Sequence, residues 1–228
     1  MGKGTQAALL RERLGPCHLS TGDIFRTAGS CPECAQTPAI KQALAYMRRG
    51  ELVPDSTVLE MVREREACLH CYAGFILDGF PRTLAQAESL KKLLEQEGLA
   101  LTAVISYELS AEQITARLGG RRTCSKCKAV YHITEQPPKA ADRCDLCGAN
   151  LFQREDDRPE SIRVRLDAYS RSTAPLMDFY RKLDLLCSVE ATGTPEEIFV
   201  RTVGQLNSRA NRAVRKMWAA VENHRSGI

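Results

Sequence analysis

Long apolar runs are missing from this 228-residue chain, and none approaches the roughly 20 residues that span a bilayer. The opening MGKGTQAALL also lacks the apolar stretch of a signal peptide, and Gln6 stands where an N-myristoylation pattern needs Ser or Thr. These absences predict a soluble cytoplasmic protein with no membrane attachment. A dominant charge is lacking too: 32 Lys plus Arg stand against 28 Asp plus Glu, so the net +4 gives no whole-chain argument for nucleic acid. Aromatics make up only 6% of residues, which leaves little to interleave with basic residues as a nucleic-acid surface. The 43% hydrophobic content, by contrast, suffices for a core and excludes general disorder.

Cysteine is abundant. Eight of the ten fall into C-x-x-C pairs, at Cys31/Cys34, Cys68/Cys71, Cys124/Cys127 and Cys144/Cys147, a spacing that suggests metal rather than disulfides in a chain without an export signal. Cys124-x-x-Cys127 and Cys144-x-x-Cys147 are sixteen residues apart. That is zinc-ribbon spacing: each pair forms a knuckle, and four thiolates close a tetrahedral shell, so the zinc should be structural. Cys31/Cys34 and Cys68/Cys71 are too far apart for a second ribbon and are not expected to share a site. Cys17 and Cys187 lie in strand-like runs and are expected to be small buried hydrophobes.

Short apolar runs at 17–20, 74–77, 103–107 and 185–189 read as buried strands. Between them, Leu84, Ala87, Leu90, Leu93 and Leu94, and later Ile162, Leu166 and Tyr169, recur at helical spacing. Alternation of strand and helix predicts an α/β fold with a doubly wound parallel sheet. Two segments break the rhythm: Thr27 to Pro38, rich in Gly, Ser, Pro and Cys, and 121–159, polar and holding the two knuckles. The second reads as a small inserted domain. Residues 207–228 form a basic tail with Ala210, Val214, Met217 and Val221 near one helical face.

Gly2-Lys3-Gly4-Thr5 leads into a helical pattern, which exposes backbone N–H groups to an anion and places a Lys near terminal phosphates. Downstream stand Ser20-Thr21-Gly22-Asp23 with Arg26, Asp78-Gly79-Phe80-Pro81-Arg82-Thr83 with Gln86, and Arg117-Leu118-Gly119-Gly120-Arg121-Arg122. Arg154, Asp156, Asp157, Arg165 and Thr173-Ala174-Pro175-Leu176 follow in order.

At these residues, from Gly2 to about Gly193, the chain resembles the adenylate kinases with a long zinc-binding lid. The resemblance implies a P-loop-like core of five parallel strands over 1–206, an AMP-binding arm at 20–54 and the lid at 121–159. It implies Mg²⁺-dependent transfer of phosphate between ATP and AMP, giving two ADP, by a monomer. Gly2, Lys3, Gly4 and Thr5 would hold the ATP phosphates, with Arg117, Arg121, Val130, Tyr131 and Gly193 along the rest of that nucleotide. Lys3, Arg82, Arg121, Arg154 and Arg165 would surround the transferred group. Thr21, Arg26, Glu51, Leu52, Val53, Gly79, Arg82, Gln86, Arg154 and Arg165 would bind AMP, and Asp78 would hold Mg²⁺ through water. His132 is expected to pack within the lid.

The phosphate-loop pattern needs a glycine five positions before Gly2, and Gly4 stands where it places Ser or Thr. The resemblance also puts the family's first strand, central in the sheet, ahead of Gly2. Two neighbouring strands are therefore expected to lack backbone partners, and activity to be weakened. The rival reading is a nucleotide- or nucleic-acid-binding zinc module on the same fold, without catalysis. A kinase for another monophosphate is disfavoured by Gln86 and the long lid.

Overall fold

A computed structural model describes residues 2–30 and 38–225. Helix α1 (Lys3–Leu14) leads to β1 (Cys17–Ser20), α2 (Thr21–Ser30), α3 (Pro38–Arg48), α4 (Asp55–Arg63) and the short α5 (Glu66–Leu69). Strand β2 (Phe75–Asp78), α6 (Leu84–Gln96), β3 (Val104–Glu108) and α7 (Ala111–Gly119) continue the alternation. An inserted antiparallel sheet of β4 (Arg121–Cys124), β5 (Val130–His132) and β6 (Leu151–Phe152) has the order β5-β4-β6. The chain returns through α8 (Pro159–Ala168), a π turn, α9 (Pro175–Lys182), β7 (Leu186–Glu190) and α10 (Pro195–Arg225).

The α/β alternation is as the sequence predicts, but the parallel strands do not form one sheet. β1 pairs with β2, β3 pairs with β7, and no ladder joins the two halves. Four core strands are thus present among the described residues where the resemblance implied five. Within each pair the strands are parallel, so Ser20 and Asp78 end side by side, as do Glu108 and Glu190.

Local chemistry accounts for the elements. In α6 the expected apolar stripe is buried at Ala87, Leu90, Leu93 and Leu94, and Thr83 caps the helix by accepting the Gln86 N–H. Helix α7 starts with a reciprocal Ser110/Gln113 capping box. The main core joins Leu19, Phe25, Val62, Leu69, Phe80 and Leu90, which ties β1, α2, α4, α5 and α6 together. Helix α10 continues through position 207, and Arg209 donates to the Thr102 carbonyl at 2.5 Å. No helix among the described residues is long and apolar enough to cross a membrane.

The cysteines bring one correction. Cys17 is not a buried hydrophobe but is disulfide-bonded to Cys68, with Cα atoms 5.7 Å apart. Pairing across 51 positions was invisible to a reading of spacing, because it is made when α5 packs on the start of β1. Cys68 is thereby removed as a metal ligand in this state, whereas Cys71 is free and Cys187 is free and buried as expected. Cys31 and Cys34 lie outside the described residues.

Candidate active site

The site is built at the carboxyl rim of β1 and β2. Gly2, at φ 113°, caps α1 in a left-handed conformation that favours glycine, and no side chain satisfies the helix's first N–H groups. These donors and the Lys3 ammonium are the expected anion cradle. Lys3 is open to water, yet it is ringed by protein atoms. That crowding and the repulsion of Arg82 lower its pKa from 10.5 to about 8, against the pull of Asp78.

Asp78 ends β2. Burial pushes its carboxyl up, but His18, Lys3 and Arg82 outweigh this and hold it below the usual carboxylate range. The His18 ring lies 3.7 Å from it, an electrostatic neighbour beyond hydrogen-bond reach. Gly79 follows at φ 83°, and a Cβ there would stand 2.9 Å from Thr21 Oγ1, so the bend requires glycine. The turn aims Arg82 back into the site: its Nε donates to the Gly79 carbonyl at 2.7 Å, while Thr173 Oγ1 donates to the Arg82 carbonyl at 2.9 Å.

The cations crowd one another. Burial and the neighbouring Arg165 lower the pKa of Arg82 to about 10, and burial with Arg121 and Arg26 lowers Arg154 to about 10. Arg165 is lowered by burial, with Asp156 opposing and Arg121 and Arg26 contributing. All stay charged at neutral pH, so this mutual strain awaits a polyanion. Lys3, Asp78, Arg82 and Arg165 line one cavity.

Carboxylates set the geometry of this cluster, and Asp23, Asp156 and Asp157 had no individual roles in the sequence reading. Asp157, fully buried, accepts from Arg121 Nε at 2.7 Å and from a terminal nitrogen at 2.5 Å. Asp156 accepts from Arg165 at 3.2 Å, and Asp23 from Arg26 at 2.5 Å. Asp55 was missed altogether: it accepts from Gln86 Nε2 at 2.6 Å and Thr83 Oγ1 at 2.9 Å. Gln86, expected on adenine, is buried here with its oxygen on the Arg82 N–H at 2.7 Å, so in this state it fixes the Arg82 turn. Only its tertiary partners reveal that.

Other expected residues are dispersed around this centre. Thr21 and Gly79 adjoin each other, and Thr21 Oγ1 donates to the Asp78 carbonyl at 3.4 Å. Glu51 pairs with Arg49, beside half-buried Leu52 and Val53. Arg117 donates to the Ala191 carbonyl at 2.7 Å and reaches Glu135 of the insert at 3.4 Å. Gly193 adopts φ 88° in the turn after β7. Val130 is exposed, but the Tyr131 side chain faces into the insert, with its hydroxyl 3.4 Å from Cys144 Sγ and accepting the Asp145 N–H at 2.8 Å. His132 packs as expected at the root of the insert, accepting Thr134 and Glu135 N–H groups on Nδ1.

Cys124, Cys127, Cys144 and Cys147 converge so that their sulfurs all lie within 4.8 Å of one another, with cross pairs at 3.4 and 3.5 Å. A tetrahedron with Zn–S bonds of about 2.3 Å has edges of about 3.8 Å, so the cluster fits zinc closely. The insert buries little else than two of these cysteines, Tyr131 and Leu151, too small a core to hold it alone.

The family model for adenylate kinase matches residues 1–185. An adenylate kinase of Carboxydothermus hydrogenoformans is 48% identical over 198 residues, 87% of this chain and 91% of the relative. One of Thermodesulfovibrio yellowstonii is also 48% identical, covering 87% and 90%, and one of Salinispora tropica is 46% identical over 207 residues, covering 91% and 94%. A basic cluster on a parallel α/β frame, a four-cysteine insert and this likeness along most of its length agree: the chain belongs to the adenylate kinase family.

Proposed function

We propose that this chain catalyses ATP + AMP ⇌ 2 ADP with Mg²⁺, using Lys3, Arg82, Arg121, Arg154 and Arg165 to gather and stabilise the transferred phosphoryl group. The observation that carries this reading is the convergence of Lys3, Asp78, Arg82 and Arg165 on one cavity in a chain of the adenylate kinase family. A transferring phosphoryl group spreads negative charge over its oxygens, so catalysis consists chiefly of positioning and cation supply. Cations held partly out of water and close to one another gain most when that charge develops among them.

Lys3 and the open N–H groups of α1 suit the ATP phosphates, and Arg26 with Arg154 suits the AMP phosphate. Arg82, held by the Gly79 carbonyl and by Gln86, stands between them. Asp78, kept ionised, fits the waters of a Mg²⁺ ion, which when bound neutralises phosphate charge. Thr21 and the 51–53 segment suit the AMP nucleoside. Arg117, Val130 and Gly193 suit that of ATP.

The arm at 20–54 and the lid at 121–159 would close over both nucleotides and exclude water, which protects ATP from hydrolysis. Zinc in the lid would keep it a rigid cover. The protein would act as a cytoplasmic monomer, and a nucleic-acid role is not favoured by the family membership. Coupled measurement of ADP formation from ATP and AMP tests the reading. Absence of AMP-dependent turnover with the full chain would overturn it.

A further inference from the structure

The side-chain amide of Gln86 is held at both ends, by partners that allow one orientation only. Its Oε1 accepts the Arg82 N–H at 2.7 Å, and its Nε2 donates to Asp55 Oδ1 at 2.6 Å. A backbone N–H can only donate and an ionised carboxylate can only accept. Turning the amide over would therefore set donor against donor and acceptor against acceptor. Asp55 is itself fixed, because its other oxygen accepts from Thr83 Oγ1 at 2.9 Å, and that hydroxyl in turn accepts the Gln86 N–H at 3.1 Å. Gln86 is buried, so bulk water could not repair a wrong orientation. The bonds also join two segments distant in sequence. Asp55 opens α4 just after 51–53, and Gln86 lies in the first turn of α6 just after Arg82 and Thr83. The proposed AMP site draws on both segments.

We propose that Asp55 is a specificity-determining positioning residue: by locking the Gln86 amide it selects a 6-aminopurine monophosphate over a 6-oxopurine one. The inference rests on the reading of this site as an AMP site with Gln86 at the base. A primary amide carries two N–H donors and an oxygen with two lone pairs; Asp55 and Arg82 take one of each, which leaves one of each for a base. Adenine presents its amino donor beside the N1 acceptor. Hypoxanthine presents the reverse, an oxo acceptor beside an N1–H donor. An amide free to turn suits both bases equally, because turning exchanges its donor and its acceptor. A locked amide matches one pattern and opposes the other, and with AMP as substrate the matched pattern is that of adenine. Asp55 need not touch the nucleotide to make this choice, since it acts through Gln86.

The test compares the full chain with Asp55→Asn in calorimetric titrations with AMP and with inosine monophosphate. Asparagine is nearly the size of aspartate and can turn its own amide, so it offers Gln86 either an acceptor or a donor while still meeting the Thr83 hydroxyl. One of the two locks is thereby removed. Wild type should bind AMP at least about a hundredfold more tightly than inosine monophosphate, because the 6-oxopurine leaves buried polar groups mispaired. In Asp55→Asn that ratio should fall at least about tenfold. Asp55→Ala, which leaves room for a water able to donate or accept, should lower the ratio in the same way and serves as a second variant. A merely structural Asp55 would weaken both nucleotides alike, and an unchanged ratio in the folded variants would overturn the proposal. Equal binding of the two nucleotides by wild type would overturn it as well. The titrations need no turnover, so the kinase reading fails separately: a wild type that discriminates in binding but forms no ADP from ATP and AMP would sink the transfer reading, while a lowered ratio in the variants would still uphold this one.

Discussion

Asp157→Asn isolates the role of a buried carboxylate that touches no nucleotide position. In the wild type both oxygens accept from Arg121, and Asp157 has no exposed surface while the Arg121 side chain keeps 19%. The amide is nearly isosteric, but one acceptor becomes an NH₂ group aimed at a guanidinium donor, and the neutralising charge is lost. A charge-assisted hydrogen bond contributes about 1.5–3 kcal/mol, and removing one partner of a fully buried pair costs about 3–5 kcal/mol. Because Arg121 retains some water, the lower end applies, about 2 kcal/mol. At about 2–4 °C per kcal/mol for a chain of this size, the melting temperature should fall by about 4–8 °C. Arg121 would also be freed beside Arg154 and Arg165, whose pKa values it already depresses. Loss of its alignment should reduce kcat about tenfold, equivalent to 1.4 kcal/mol at the transition state, with a smaller change in KM. Calorimetry and initial rates measure both. A variant that melts within about 1 °C of the wild type and turns over equally fast would refute the positioning argument.

Cys144→Ser should remove one thiolate from the insert, lower the metal content and destabilise the lid, as read by metal analysis and thermal melting. Wild-type protein purified without chelator and carrying no zinc or comparable metal would falsify the structural-zinc assignment. Arg82→Ala should reduce kcat far more than nucleotide affinity, measured by steady-state kinetics beside fluorescent nucleotide titration; unchanged kcat removes Arg82 from the chemistry. Lys3, lowered to about 8 in the free protein, should be largely neutral at about pH 9, and a bound triphosphate should recharge it. ATP binding should then take up close to one proton at about pH 9 and far less at about pH 6.5, as calorimetry in buffers of different ionisation heat reports. The same depressed pKa means that charged Lys3 opposes folding below about pH 8, an opposition relieved as pH rises toward 10.5. Reducing Cys17–Cys68, or replacing Cys68 with Ser, should lower stability by up to about 4 kcal/mol from the 51-residue loop it closes, seen as a drop in melting temperature under dithiothreitol. An unchanged melt would show that the link constrains little.

Local regularities made much of this protein legible from its residues alone. The Leu84 to Leu94 stripe, the four strand runs and the Cys124 to Cys147 spacing each depend on contacts within a few residues or on one fixed ligand geometry, and each appears in the structure at its expected place. Arg82 was legible for the same reason: Asp78 to Thr83 is a contiguous turn whose chemistry is written in its own residues, whereas Arg121, Arg154 and Arg165 were read from the family resemblance. Three features depended on packing between distant segments. The Cys17–Cys68 bond exists because α5 is brought to the start of β1, while C-x-x-C spacing had directed Cys68 toward metal. Gln86 also braces the Arg82 turn, because Asp55, 31 positions away, meets its amide. The Tyr131 side chain faces Cys144 because the knuckles close around it. Sequence fixes which backbone and side-chain groups can bond, but burial and partnership are properties of the assembled chain. For that reason the residue types of the basic cluster could be named from the sequence, whereas the carboxylates that aim its cations were decided only by the tertiary structure.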